Sequence, residues 1–480
     1  MSTKKQTKES LLLELSSILL EPWLKPHIDT IAKIRTQLLG FTTDEEEEQI
    51  TRKIKDKIQS EGRKAWEYDS ASRGLVARRG AIIAATGIGK SKIAIDIIKE
   101  YYKLDMTAVG YVHKPHFGKA LIVVPTEKLR DEGWKAEFEK WGGGYIYKEH
   151  VETVCYLSLD TIKDKQYQFV VLDEGHNITE NNSVFFKQNT FRDILMLTAT
   201  RPTDFRKTII LNNLGVKPVY ELNLDEAVKL GIVSAYNITV VTVPIDGEER
   251  YIKKYKKSTF LNTETHMKDY HNAAVFNSRN PMARINRMQF IYKLRSKTRA
   301  SQMLLGSIPD SLKTLIFCAN KAQAIDLCEN RYFTKPSLSE KEAMEIDKVV
   351  EYRHIMDNWQ GTTGLNKFLL DEVNSLSCVN ALNEGHNLGT IDIAFIAQLN
   401  SKQLHFIQRI GRILRWSYDH KGEIIVVVAR DTIDEEWARK ATQSLDGNNI
   451  RWISIESILD GTESLIKSNT EIHEEETADI

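Results

Sequence analysis

Ala84 to Ser91 reads AATGIGKS, a glycine-bearing loop that ends in a lysine and a hydroxyl. Such a set can hold a triphosphate. Gly87 and Gly89 let the backbone turn tightly and aim its N–H groups at phosphate oxygens. Lys90 offers a point charge to the β- and γ-phosphates, and the Ser91 hydroxyl can ligate Mg²⁺. The loop departs from G-x-x-x-x-G-K-[ST] at one place, where Ala84 stands for the first glycine. A phosphate loop alone hydrolyses nothing. Further on, Phe169 to His176 reads FVVLDEGH, an apolar run that ends in adjacent carboxylates. Asp173 is placed to hold Mg²⁺, usually through water, and Glu174 to orient and activate the attacking water. Gln408 to Arg415 reads QRIGRILR. On a helix, Arg412 and Arg415 share one face. Two guanidinium groups there suit arginine fingers, each worth ~10³–10⁵ in rate in other phosphoryl-transfer enzymes.

These sets need elements to carry them. Ala81-Ile82-Ile83 reads as a strand into the loop, and Ile93, Ile97 and Ile98 as a helix out of it. That helix turns its positive end toward the phosphates. Further strands are expected at Ala120–Val124, Val151–Leu157, Phe169–Leu172 and Ile194–Leu197. Alternation with helical patterns predicts an α/β fold, a doubly wound parallel sheet with helices on both faces. Asn237–Val243 opens a second such unit, continued by Thr314–Cys318, Ile391–Ile396 and Glu423–Val428.

Ahead of both lie helical patterns at Leu11–Leu20 and Ile28–Leu39, then Ile50, Ile54 and Ile58 on one face. The acidic run Asp44–Glu48 complements the dipole at that helix start. Residues 1–62 read as a small helical accessory region, 63–231 as the first α/β domain, 232–440 as the second, and 441–480 as a C-terminal extension and tail. A basic helical insert is expected over about 250–300. It holds Lys253, Lys254, Lys256, Lys257, Arg284, Arg287, Lys293, Arg295, Lys297 and Arg299, interleaved with Tyr251, Tyr255, Phe260, Phe290 and Tyr292. A solvated basic face and a polynucleotide-binding face both fit that mixture.

The bulk numbers narrow the class. At 480 residues the chain has room for two or three domains, and 41% hydrophobic residues is ordinary for a globular protein. No apolar run approaches the ~20 residues of a membrane span, and the first residues lack a signal-peptide core. Cys155, Cys318, Cys328 and Cys378 show no metal-binding spacing, so free thiols in a reducing cytoplasm are expected. With 66 basic and 66 acidic residues, any polyanion site must come from local segregation of charge.

The ordered set resembles the DExH-box helicases of superfamily 2, across nearly all of Trp66 to Arg430. ATGIGKS is similar to motif I, Leu121–Leu129 (LIVVPTEKL) to motif Ia, and DEGH to motif II. Leu197–Thr200 (LTAT) is similar to motif III, Thr314–Asn320 to motif IV, Asn383–Leu388 (NEGHNL) to motif V, and QRIGRILR to motif VI. The resemblance implies two RecA-like domains in tandem, with ATP and Mg²⁺ as ligands. Thr86, Gly87, Ile88, Gly89, Lys90 and Ser91 would bind the triphosphate, Ser91 and Asp173 the metal, and Asp173 and Glu174 would serve hydrolysis. His176, Thr198 and Thr200 would couple nucleotide state to the strand-binding face. Gln408, Arg412 and Arg415 would act from the second domain, while Pro125, Thr126, Asn320 and Gly385 would lie near the nucleic-acid backbone.

The adenine-reading glutamine that usually precedes motif I has no counterpart among Trp66, Tyr68 and Arg73. LTAT, then Arg201-Pro202, then LDEAVKLGIV over Leu224–Val233, resembles DNA-acting members, the phage UvsW-like enzymes and restriction-system translocases. The implied function is an ATP-dependent DNA helicase or translocase. It is expected to be a monomer with no membrane partner, a stand-alone motor of bacterial or phage origin acting on single-stranded, forked or branched DNA. An RNA remodeller, or a nucleotide-switched clamp without unwinding, stays open as the alternative.

Overall fold

The computed structural model describes residues 7–39, 41–72, 77–107, 110–113, 118–202, 204–247, 250–255, 258–277, 281–329, 354–355, 363–379, 391–399 and 421–466. Gly385, Gln408, Arg412 and Arg415 lie outside the described residues, as do Lys256 and Lys257. The chain forms two compact units, and it passes from one to the other at Ser234–Ala235.

The first unit carries β1 (Arg79–Ala84), β2 (Leu104–Thr107), β3 (Gly110–His113), β4 (Lys119–Val124), β5 (Val151–Cys155), β6 (Gln166–Asp173), β7 (Thr190–Thr198) and β8 (Pro218–Leu222). β2 and β3 pair as a separate antiparallel hairpin. The others form one six-stranded sheet in the order β5-β4-β6-β7-β1-β8, parallel throughout. The apolar runs explain it. Ala120–Val124 and Phe169–Leu172 are fully buried, as strands covered on both faces must be. In a parallel sheet every strand ends on the same edge, so the segments after β1, β4, β6 and β7 share one rim. The register levels those ends, pairing Ile83 with Thr198 and Asp173 with Leu197.

In the second unit are β9 (Ala235–Val243), β10 (Arg250–Tyr255), β11 (Ser258–Thr263), β12 (Thr314–Phe317), β13 (His354–Ile355), β14 (Ser375–Cys378), β15 (Ile393–Ile396), β16 (Lys421–Ala429) and β17 (Ile450–Ser454). Its seven-stranded sheet runs β13-β14-β12-β15-β16-β9-β17, again parallel. Both sheets are thus doubly wound α/β layers of the expected class.

Some expectations change. The strand from Val151 stops at Cys155, where Tyr156–Thr161 winds into a 3₁₀ helix. Helices α1 (Lys8–Leu20) and α2 (Ile28–Leu38) match the N-terminal pattern, but α3 spans Asp44–Ser72 and runs straight through position 62. α3 packs against β1, β8 and α4 (Lys90–Tyr101). Trp66 on α3 is fully buried, donates its indole N–H to the Ile194 carbonyl at 3.0 Å and stands edge-on to Phe169. α3 therefore belongs to the core of the first unit. The acidic run does more than meet a dipole, because Glu47 is buried in an ion pair with Arg35 at 2.7 Å.

The basic insert opens as an antiparallel hairpin, β10 on β11, before turning helical at Glu264–Asn277, Pro281–Ile291 and Arg295–Gly306. Its Tyr, Phe and Thr content favours strand there. Lys297 is not a surface cation. It is 1% exposed and ion-paired with Asp434. Phe290 stacks on His271, and Tyr292 packs against Trp437. No described helix is long and apolar enough to cross a membrane. Cys155, Cys318 and Cys378 are buried and take part in no disulfide.

Candidate active site

β1 delivers the chain into the loop Ala85–Gly89, and α4 leaves it. Gly87 (φ 91°) and Gly89 (φ 84°) both take left-handed backbone that only glycine adopts cheaply. The loop therefore turns just before the N-terminus of α4, where free N–H groups and the helix dipole favour an anion. The Lys90 ammonium folds back onto its own loop, donating to the Ala84 carbonyl at 2.8 Å and the Ala85 carbonyl at 3.3 Å. Burial lowers its pKa, opposed by the charges of Glu174 and Asp173. A lysine held by two neutral carbonyls, with the charges of two carboxylates nearby, is ready to exchange those contacts for phosphate oxygens.

β6 ends at Asp173, and the chain kinks at once. Glu174 has φ 45°, a left-handed backbone that costs a non-glycine residue about 1–3 kcal/mol. The kink turns Glu174 into the rim rather than along the strand. Its Oε2 is buried with no hydrogen-bond partner. It lies 3.4 Å from His176 Nδ1, but that nitrogen is engaged with the Thr198 hydroxyl at 3.1 Å. The Thr198 hydroxyl in turn donates to the Thr200 carbonyl at 3.0 Å. Glu174, His176, Thr198 and Thr200 thus form one cluster across the ends of β6 and β7. Lys207 donates to the His176 carbonyl and braces it from outside.

The Asp173 carboxylate is oriented by the Trp134 indole N–H at 3.0 Å, and the Asp173 carbonyl accepts from the Tyr156 hydroxyl at 2.9 Å. Sequence reading did not single out Trp134 or Tyr156 as site residues. Both come from other segments, and only their aromatic N–H and O–H hinted at buried partners. It also missed Gln59, whose side-chain amide donates to the Ile88 carbonyl inside the loop at 2.8 Å.

These residues fit a magnesium–triphosphate. The donor set is phosphate-binding, a buried carboxylate oxygen lacks a donor, and Mg²⁺ usually takes one or two carboxylates plus substrate oxygens. Among the described residues no group of three or more His, Cys, Asp or Glu could hold a metal.

The remaining candidates stand apart. Pro125 and Thr126 follow β4. Pro125 lines a cavity of about 280 Å³ with Tyr156, Leu157, Asn177 and Asn182, on the rim of the same sheet. Leu157 beside it is 92% exposed. Asn320 follows β12 in the second unit and is occupied locally: it accepts from the Gln323 N–H at 2.9 Å, capping helix Lys321–Glu329.

Comparison with known proteins agrees with this layout. The family model described as "Type III restriction enzyme, res subunit" matches residues 41–203, and that of the "Helicase conserved C-terminal domain" matches residues 296–417. The first match takes in all of α3. The DNA 3'-5' translocase XPB2 of Sulfurisphaera tokodaii is 24% identical over 416 residues, covering 81% of this chain and 85% of the relative. Among solved structures, the Hef helicase domain of Pyrococcus furiosus is 14% identical with a TM-score of 0.43, over 81% of this chain and 98% of that one. The DNA-bound Type ISP restriction-modification enzyme LlaBIII is 13% identical with a TM-score of 0.48. It covers 83% of this chain, which spans only 31% of its length. With the ordered motifs, the two parallel sheets and the two family matches in place, the chain belongs to the superfamily-2 helicases.

Proposed function

We propose that this protein is an ATP-driven DNA translocase, in which hydrolysis at the rim of the first sheet moves the chain along DNA. The observation that carries the reading is the convergence of Lys90, Asp173, Glu174 and the His176–Thr198–Thr200 cluster on one sheet edge. Magnesium, when bound, offsets the negative charge of the β- and γ-phosphate oxygens. Ser91 and Asp173 are the residues to hold it, with Trp134 fixing the Asp173 carboxylate. Lys90 leaves the Ala84 and Ala85 carbonyls for the phosphates, and the loop amides from Thr86 to Gly89 surround them. Glu174 Oε2, lacking a donor, takes a hydrogen bond from the attacking water and then its proton. His176 senses that change directly beside Glu174 and passes it through Thr198 to Thr200.

Gln408, Arg412 and Arg415 are proposed to reach the same phosphates from the second unit, and Gly385 to contact the strand. Both motif sets sit on one chain, so a monomer carries the full complement. Pro125, Thr126 and the exposed Leu157 form the proposed strand-facing rim of the first unit; Asn320 is the weakest of that group, being already a helix cap. DNA is favoured as substrate by the XPB2 relative, whose name records DNA translocation, and by the restriction-subunit family model. The phage-encoded branch of the expectation rests on sequence alone.

The test is ATPase stimulation across matched single-stranded, duplex, forked and junction DNA, with RNA counterparts. DNA should stimulate strongly. Stimulation by RNA alone would transfer the reading to an RNA remodeller, and none by either would leave a nucleotide-switched clamp.

A further inference from the structure

We propose that α3 is a tie between the phosphate loop and the chain's exit from the first unit, with Gln59 of α3 anchoring it to the loop and Arg35 of α2 anchoring it to the exit as positioning residues. The inference rests on nucleotide binding at Lys90 and is independent of which nucleic acid is moved.

At the loop end, Gln59 is buried and donates to the Ile88 carbonyl at 2.8 Å. The contact has no slack. A Cβ placed on Gly89 would meet Gln59 Nε2 at 2.4 Å. The amide oxygen of Gln59 is buried without a hydrogen-bond partner. An unpaired buried acceptor is a destabilised arrangement, which a loop rearranged around phosphates can relieve by offering an N–H.

At the exit end, Arg35 is buried and uses both terminal guanidinium nitrogens. Nη2 donates to Glu47 Oε2 at 2.7 Å and to the Thr51 hydroxyl at 3.0 Å, both on α3. Nη1 donates to the Leu230 carbonyl at 2.7 Å and the Gly231 carbonyl at 2.9 Å. Those carbonyls lie just ahead of Ser234, where the first unit ends. Here too a glycine is packed without room. Gly231 has φ 61°, and a Cβ on it would meet the Arg35 guanidinium carbon at 2.5 Å.

Between these ends α3 is continuous. Thr51 and Gln59 are separated by about 12 Å of helix at 1.5 Å per residue. Glu61, next along, accepts from the Leu24 N–H at 2.7 Å and the Tyr220 hydroxyl at 3.3 Å, and Trp66 is sunk into the core. A helix held along its length transmits a displacement at one end to the other rather than absorbing it. A change at Ile88 and Gly89 therefore reaches Leu230 and Gly231, and through them the path into the second unit.

Amide hydrogen exchange on the full chain tests this, with and without a non-hydrolysable ATP analogue and Mg²⁺. In the unmodified protein the analogue should protect residues 85–91 and change exchange at 228–234 by about threefold or more. In Arg35→Met the loop protection should persist while the nucleotide-dependent change at 228–234 disappears. Gly231→Ala, which displaces Arg35 from the other side, should do the same if Arg35→Met folds poorly. A loosened structure would shift absolute exchange, but only the tie removes its dependence on nucleotide. A change at 228–234 that survives in either folded variant, or is absent from the unmodified protein, overturns the proposal. Failure of the analogue to protect 85–91 at all would remove the nucleotide site itself, and the tie with it.

Discussion

Two lysines, a buried one in the second unit and a half-buried one in the first, show what different surroundings make of the same side chain. Burial lowers the pKa of both. Lys297 is matched by a counter-charge: it donates to Asp434 and to Gln398 Oε1 at 2.8 Å, and Asp434 also accepts from Gln398 Nε2 and the Ala429 N–H. The two charges in that set neutralise each other and are cross-braced by Gln398, so the set fixes a geometry and offers a ligand no unmatched charge. Lys90 bonds two neutral carbonyls of its own loop and feels Glu174 and Asp173 as nearby charges. The first arrangement holds a fold together. The second holds a charge ready for something the chain does not itself supply.

The largest expected effect follows from the second lysine. Lys90→Ala should reduce ATPase by about a thousandfold or more, some 4 kcal/mol of transition-state stabilisation at 1.36 kcal/mol per factor of ten. Thermal unfolding should hardly move, because only loop carbonyls lose a partner and they face the rim. A large drop in unfolding temperature without loss of turnover would reverse the comparison. Lys297→Met should do the opposite. Removing one partner of a buried ion pair leaves Asp434 charged without a counter-ion, at a cost of about 3–5 kcal/mol in a denaturant titration. Lys297→Met with Asp434→Leu should recover much of that loss, since no charge is then stranded.

A smaller effect sharpens the contrast within the active site. Trp134→Phe keeps the ring that packs near Phe138 but removes the N–H donated to Asp173. Groups that orient a metal ligand are commonly worth 10–100-fold, so turnover should fall by about tenfold, with more Mg²⁺ needed for half-maximal rate. A Mg²⁺ titration identical to that of the unmodified protein would reduce Trp134 to a packing residue.

Much of this was legible in the chain because the determinants are local. Continuous apolar runs gave the central strands, and each chemical motif sits where such a run ends, which is why Lys90, Asp173, Glu174, His176 and Thr198 could be placed before any coordinates. Edge elements were harder. β8 opens on the exposed Pro218 and is only partly buried until Leu222, so it lacks the run that marks a buried strand. α3 runs on past the boundary expected at residue 62. A Cβ on Gly62 would sit 3.4 Å from the Ile82 and Ile93 side chains, an ordinary contact, so the helix face there packs on the sheet and α4 without interruption. Gln59, Trp134 and Arg35 were out of reach because their roles depend on residues tens to hundreds of positions away, and no spacing rule connects Arg35 to Leu230. The charge run near Lys297 misled for the same reason: its partner Asp434 lies 137 residues on.

If buried charge in the second unit serves the fold, it should register in stability and not in rate, and Asp326 offers the gentlest test. Burial pushes its carboxyl up from 3.8 to about 6, with Arg295 offsetting part of the rise. The folded chain therefore holds a proton between those values that the unfolded chain has lost. Stability must fall as pH rises through that window, and the whole penalty is in place above pH 6. Asp326 is only partly buried, so solvent screening reduces the penalty to about 1 kcal/mol. Asp326→Asn removes it and leaves the bond from Gln302 to the Asp326 backbone carbonyl intact. The variant should melt about 2–4 °C higher at pH 7.5, the gain should shrink toward pH 5, and the pH profile of ATPase should stay where it was. A gain independent of pH would mean that the carboxyl is solvated and that the second unit's buried charges do not act together.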